Sequence, residues 1–160
     1  RSRWSVCALV VHAGRPVLIS SRLLGRPDTE RRVIPASLTR AAVEASPHVD
    51  TDRTATSARE LTRHFVQGLD DEIGRVTDFL VDDEQWAIRY LVVGLDTEES
   101  VRTAMVPVGW VSWVSSVARS VKVALRTRVV KGAPDFDGSL GAEARLAAHY
   151  GRSPFSVEKK

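Results

Sequence analysis

The chain has 160 residues, 43% hydrophobic and 27% charged, with a formal net charge of +3 and a pI near 9.4. That is the composition of an ordinary globular protein of one or two small domains, and its mild basicity falls far short of a dedicated nucleic-acid binder. A single Cys excludes an intramolecular disulfide, and no apolar run approaches the roughly 18 residues of a transmembrane helix.

In chain order, residues 1–12 (RSRWSVCALVVH) read as a strand, with Cys7 a buried, inert thiol in its apolar run. The chain opens on Arg with no Met and no hydrophobic signal region, which reads as a trimmed chain without an export signal and gives a cytoplasmic expectation. Residues 13–16 form a turn, 16–24 a second strand, 25–28 another turn, and 32–38 a short strand in which Pro35 favours an edge position. Thr39 is placed to cap a short helix that runs to Ser46 and stops at Pro47. Residues 50–56 are a polar linker. Residues 57–69 could be a helix by composition.

Asp70 to Val93 (DDEIGRVTDFLVDDEQWAIRYLVV) is the most structured stretch. Two apolar runs, Ile73 to Val81 and Trp86 to Val93, flank the polar link Asp82-Asp83-Glu84-Gln85, which is how a hairpin is written. Both faces of these strands read as fairly apolar, which suits a small closed barrel. Residues 94–103 read as an exposed charged loop, 104–114 as an apolar strand carrying Trp110 and Trp113, and 120–125 as an alternating strand. Residues 126–132 form a short turn or helix, and Leu140 to Tyr150 a helix that Gly151 ends.

The pattern IG-x-V-x-DFLVDDE-x-W-x-IRYLVV resembles the signature of the PRC-barrel domain, a small β-barrel found in the H subunit of purple-type photosynthetic reaction centres, in ribosome-maturation factors and in stand-alone proteins. Within it Gly74, Asp78, Trp86, Arg89 and Tyr90 are the fold-defining positions. The resemblance implies that residues 57–69 supply the barrel's opening strand. An internal repeat accompanies it: RSRWSVCALVV parallels DEQWAIRYLVV, with Trp4 against Trp86. RRVIPASLTRAAVEASPHVDT parallels RSVKVALRTRVVKGAPDFDGS, with Leu38 against Leu125 and Pro47 against Pro134. The expected fold class is therefore mainly β: two small PRC-type β-barrels in tandem, with short helices after each barrel. Residues 1–53 form the first repeat, 57–138 the second, and 139–160 a C-terminal helix and tail. The first barrel lacks its opening strands at the N-terminus. An upstream segment, a partner chain or sharing between the copies would have to supply them.

No recognisable catalytic constellation emerges. His12, His48, His64 and His149 match no zinc spacing, and no nucleophile elbow, P-loop or dinucleotide fingerprint occurs. Asp70-Asp71-Glu72 and Asp82-Asp83-Glu84 read as solvated turn acids, and Asp78 as a strand carboxylate that Arg75 or Arg89 would neutralise. Two features could bind a partner. One is the basic stretch Arg119, Lys122, Arg126, Arg128 and Lys131, suited to phosphates of RNA or lipid headgroups. The other is the pair Trp110 and Trp113: both read first as core, but at spacing three they do not share a strand face, and whichever is exposed is a candidate interface anchor.

The expectation is a scaffold that is not an enzyme and carries no cofactor or metal. Its most concrete form is a peripheral, reaction-centre-H-like subunit on the cytoplasmic face of a membrane complex. The alternative is an RNA-processing or ribosome-assembly factor, or a stand-alone stress-related adaptor. The expected partners are other protein subunits and an anionic lipid surface, ahead of nucleic acid.

Overall fold

A computed structural model of the chain describes residues 7–12, 15–46, 58–97, 100–137 and 139–151. It divides into two compact units, Arg1–Ala55 with Val81–Ile88, and Thr56–Leu80 with Arg89–Lys160.

In the first unit, β1 (Cys7–His12) and β2 (Arg15–Ser20) pair antiparallel from Cys7 opposite Ser20 to His12 opposite Arg15. Val17 and Ile19, two apart on β2, are buried on one face. The strand expected to reach residue 24 stops at Ser20, where the chain tightens into a 3-10 turn at Ser21–Leu23. The strand expected over 32–38 does not form. The chain instead makes isolated bridges, Leu24 to Ala36 and Asp28 to Val33, with the Gly25 N–H donating to the Pro35 carbonyl at 2.7 Å. Helix α1 (Arg40–Glu44) starts where expected, with the Thr39 hydroxyl accepting from the Ala42 N–H. The expected positions of the linker 50–56, His48, Pro47 and the Cys7 and His12 side chains lie outside the described residues.

The second unit opens with α2 (Ala58–Leu61) and only then the three-residue strand β3 (Phe65–Gln67). The strand expected over 57–69 is thus mostly corrected to a helical turn, because Ala58-Arg59-Glu60-Leu61 are good helix formers and Leu61 buries there. β4 (Glu72–Asp82) and β5 (Ala87–Thr97) form the expected hairpin, whose tip belongs to the first unit. β5 then runs through the segment expected as a charged loop and turns into β6 (Ser100–Pro107), paired from Thr97–Ser100 to Tyr90–Pro107. The single strand expected over 104–114 is broken after Pro107 by a 3-10 turn, Val108–Trp110, before β7 (Val111–Ser115). β8 (Ser120–Val123), α3 (Thr127–Lys131) and α4 (Leu140–Tyr150) follow. Ser139 caps α4, and Gly151 closes it in a left-handed conformation at φ 68°.

The six strands lie in the order β6-β5-β4-β3-β8-β7. The two end strands, β6 and β7, are consecutive in the chain and joined by three residues. The sheet must therefore curl until its edges approach, so this mainly β unit is barrel-like. The core is lined by Val66, Val76, Leu91, Val93, Val106 and Val121, and α4 closes it with Ala142, Leu146 and Tyr150, spaced four apart. β4 is less apolar than expected. Gly74 and Val76 face the core, whereas Arg75, Thr77 and Asp78 are exposed. Ile73 is buried as well because the register slips opposite Val66 and Gln67, a bulge that turns two successive residues inward.

Equivalent elements recur 87 residues apart. The 3-10 turn at 21–23 matches 108–110, and α1 at 40–44 matches α3 at 127–131. The bridges 24–36 and 28–33 match the β7–β8 pairs 111–123 and 115–120, including the register shift between them. The turns match too. Asp28 and Ser115 each open a four-residue loop and accept from the amide three residues on, Arg31 at 2.9 Å and Ala118 at 3.0 Å. Arg32 and Arg119 close these loops at φ 54° and 45°. The β4–β5 tip is built the same way, with Asp82 accepting from the Gln85 N–H at 2.8 Å and Trp86 at φ 50°.

Candidate docking surface

The polar and aromatic residues selected from the sequence fall into three groups. The first faces outward from the end of the sheet. On β7 the register shift after Val111 leaves both Ser112 and Trp113 exposed, and Trp113 stands opposite Lys122 of β8. The Lys122 ammonium lies 5.6 Å from the centre of the Trp113 ring, in reach of its negative face. Trp113 is 47% exposed, and Val117, at the tip of the β7–β8 turn, is 99% exposed. Arg119 closes that turn. Arg126 is the N-cap residue of α3, and Arg128 and Lys131 are exposed along it. The basic stretch thus divides between a turn, a strand and a helix. Trp110 sits in the 3-10 turn and packs partly buried against the core. The two Trp residues do differ in exposure, but because the strand ends between them.

The second group is structural. Gly74 lies so close to β5 that a Cβ would collide with the Gly94 carbonyl oxygen. Tyr90 is buried with its ring 6.3 Å from Phe136. Its hydroxyl is buried, and burial, then the nearby Glu143 carboxylate, push its pKa up to about 12. The Tyr150 hydroxyl is raised further by its burial. Asp78 needs no neutralising partner. It is exposed, its carboxylate accepts from the Phe79 N–H, and Arg75 lies over the Phe65 ring at 4.5 Å. Trp86 and Arg89 are half-buried.

The acidic turns are exposed, as expected, and three of their carboxylates also hold structure. Asp70 accepts from both the amide (2.8 Å) and the hydroxyl (2.9 Å) of Thr127, the first residue of α3. These bonds hold the Asp70 carboxyl below the usual range. Asp83 and Glu84 each meet Arg26 at 3.2 Å within the first unit. Sequence reasoning could not find these partners, which are 57 and 58 residues away. It also passed over Arg102 on β6. The Arg102 guanidinium donates to the Lys131 (2.8 Å) and Ala133 (2.7 Å) carbonyls and so closes the C-terminal end of α3.

The third group, the histidines, is dispersed. His64 is buried at the start of the sheet, and the exposed His149 ring approaches the Val129 carbonyl at 2.8 Å. Among the described residues no three His, Cys, Asp or Glu side chains gather as a metal site would require, and no helix is long and apolar enough to cross a membrane. A shallow depression of about 370 Å³, lined by Thr62, Arg63, Arg75 and Thr77 among others, adds a cationic surface that the sequence did not point to.

The chain matches no family model and no curated protein. Among solved structures it is similar to a putative 16S ribosomal RNA processing protein RimM from Pseudomonas aeruginosa. The identity is 14% and the TM-score 0.38, over 76% of this chain and 79% of the other.

Proposed function

We propose that this protein is a non-enzymatic docking module of the PRC-barrel type that joins an RNA-processing or ribosome-assembly complex. The reading is carried by the Trp113–Lys122 pair: an exposed indole on an end strand of the sheet with a cation against it, in a hairpin whose tip residue Val117 is bare. An aromatic anchor with a cation against it suits a partner that offers an apolar pocket within an acidic or phosphate-rich surface. The name of the structural neighbour falls in the same class and adds no weight of its own. The same cations would also meet the phosphates of lipid headgroups, so membranes are the competing outcome of the test. The absence of catalysis, the cytoplasmic location and the preference for a protein-rich partner belong to the same proposal.

Sedimentation with immature small ribosomal subunits tests it. The chain is expected to co-sediment, Trp113→Ala and Lys122→Glu to weaken this at least tenfold, and added salt to weaken the wild type more than the Lys122→Glu variant. Binding indifferent to both substitutions, or enrichment on pigmented membranes instead, would sink the proposal.

A further inference from the structure

Where β3 meets β4, the exposed side of the sheet carries a recess distinct in its residues from the Trp113–Lys122 surface. It is the depression of about 370 Å³ lined by Thr62, Arg63, Arg75, Val76, Thr77 and Gly94, all within the second unit. Three features of the chain make it. Gly94 on β5 presents no side chain beside Thr77, where a Cβ would stand 3.0 Å from the Thr77 methyl carbon. Arg75 and Thr77, two apart on β4, share the exposed side of that strand. Arg63 joins them through a bulge. The Arg63 N–H donates to the Val76 carbonyl at 2.6 Å, and the Val76 N–H donates to the His64 carbonyl at 2.9 Å, so residues 63 and 64 both stand opposite Val76. The first residue of such a bulge takes a left-handed conformation that favours glycine, and Arg63 takes it at φ 75°. His64 turns into the core and Arg63 is left outside.

The polar groups around the recess sort into donors and acceptors. The two guanidinium groups only donate. That of Arg75 lies over the Phe65 ring, 4.5 Å from its centre, which holds its plane. Salt bridges in this unit, Arg102 with Asp135 and Arg145 with Asp137, engage other elements. The two hydroxyls have spent their hydrogens on backbone carbonyls, Thr62 on Arg59 at 2.6 Å and Thr77 on Val92 at 3.2 Å. Each is left to accept only. A matching ligand accepts from guanidinium and donates to a hydroxyl oxygen. A phosphate diester does the first, and a ribose 2′-hydroxyl does the second. The recess is too shallow to enclose a small free ion, but a chain that carries phosphates in series can lie across it. A lipid bilayer fits less well. Val76, the apolar side chain of the lining, is buried and cannot insert among acyl chains.

We propose that this recess is a subsite for the ribose–phosphate backbone of RNA. Arg63 and Arg75 hold one phosphate, and the Thr77 hydroxyl accepts from the adjoining 2′-hydroxyl. One such contact gives weak binding that ignores base sequence, in keeping with a net charge of only +3. The class of partner rests on the RNA-processing reading, but the site is separate from Trp113. The probe is free RNA and not a ribosomal subunit, so either proposal can fail alone.

The test titrates the whole isotope-labelled chain at low salt with a short single-stranded RNA, with DNA of the same sequence, and with phosphatidylserine vesicles. RNA is expected to shift the amide resonances of Thr62, Arg63, Arg75, Thr77 and Gly94. Arg63→Gly removes the side chain from a backbone position that suits glycine, so the fold is kept. It and Arg75→Gln are each expected to weaken RNA binding about tenfold and to lower its salt slope by about one. Thr77→Val, which keeps the branched shape, is expected to weaken RNA binding about threefold and to leave DNA binding unchanged. No binding, binding without shifts at these residues, or binding indifferent to both arginine substitutions would each overturn the proposal. Equal affinity for RNA and DNA would overturn it by removing the ribose contact. Vesicles bound more tightly than RNA, with the same dependence on Arg63, would overturn it by making the ligand a lipid headgroup.

Discussion

Residues 24–36 and 111–123 follow the same backbone course, with the same bridges, the same shifted register and the same left-handed Arg at the turn. One becomes two strands of a six-stranded sheet, and the other remains a pair of isolated bridges. The local sequence contributes, since Gly25, Pro27 and Pro35 stand where Ser112, Val114 and Lys122 stand in the second unit. The neighbour contributes as well. β8 has β3 on its other side and gains a second ladder and a buried face, whereas 33–36 has neither among the described residues. The helices that follow repeat the lesson. α1 is capped by its own Thr39, while α3 has Arg126 at its N-cap position, without a side-chain bond there, and takes Asp70 from the β3–β4 turn instead. The copy that lacks the tertiary partner carries a local substitute.

The contrast can be broken most forcefully at Gly74, which lets β4 approach β5 and so holds β3 in place beside β8. Gly74→Ala drives a Cβ into the Gly94 carbonyl, a backbone clash that cannot be relieved by a rotamer. It is expected to destabilise the second unit by roughly 3 kcal/mol. Chemical denaturation followed by Trp fluorescence measures it, and a loss under about 1 kcal/mol would show that the strands do not approach this closely.

A matched pair of truncations sharpens the comparison. Val121→Ala empties part of a packed core and is expected to cost about 2 kcal/mol. Ile34→Ala, at the equivalent position, removes a half-exposed side chain and is expected to change stability by less than about 0.5 kcal/mol. Equal losses in denaturant midpoints would mean that Ile34 is covered as Val121 is.

The smallest effect separates the two helix caps by pH. Asp70 has a depressed carboxyl pKa in the folded chain. Its contribution is therefore complete above the usual carboxylate range and is lost as the pH falls through it. Asp70→Asn is expected to flatten part of the acid destabilisation of the second unit. Thr39→Ala, which removes a neutral cap, is expected to weaken α1 by about 1 kcal/mol equally at all pH values. An unchanged acid limb in Asp70→Asn would remove Asp70 from this role.

Much of the fold was legible where the signal is local. The β4–β5 hairpin shows in its two apolar runs around Asp82-Asp83-Glu84-Gln85, and α4 in its four-residue spacing between Ser139 and Gly151. The repeat shows in the 87-residue offset of Leu38 and Leu125. The β5–β6 hairpin was hidden, because the charges at 96, 98, 99 and 102 look like a loop while the inward set Val93 and Leu95 carries the strand. The opening of the second unit was misread because the resemblance outweighed the helix-forming Ala58-Arg59-Glu60-Leu61. The candidate surface was half visible. Trp113 and Lys122 could be named from the sequence, but their pairing depends on a register shift that no residue type announces. Asp70 and Arg102 were invisible because their partners lie 57 and about 30 residues away, joined only by the fold.

Amide hydrogen exchange on the unmodified chain compares the twin segments directly. Val121 and Val123, between β7 and β3, are predicted to be protected close to the limit set by global unfolding. Ile34 and Ala36 are predicted to exchange nearly as fast as an unstructured chain. Equal protection at the two pairs of positions would contradict the claim that a second neighbouring strand makes one of these segments part of a sheet.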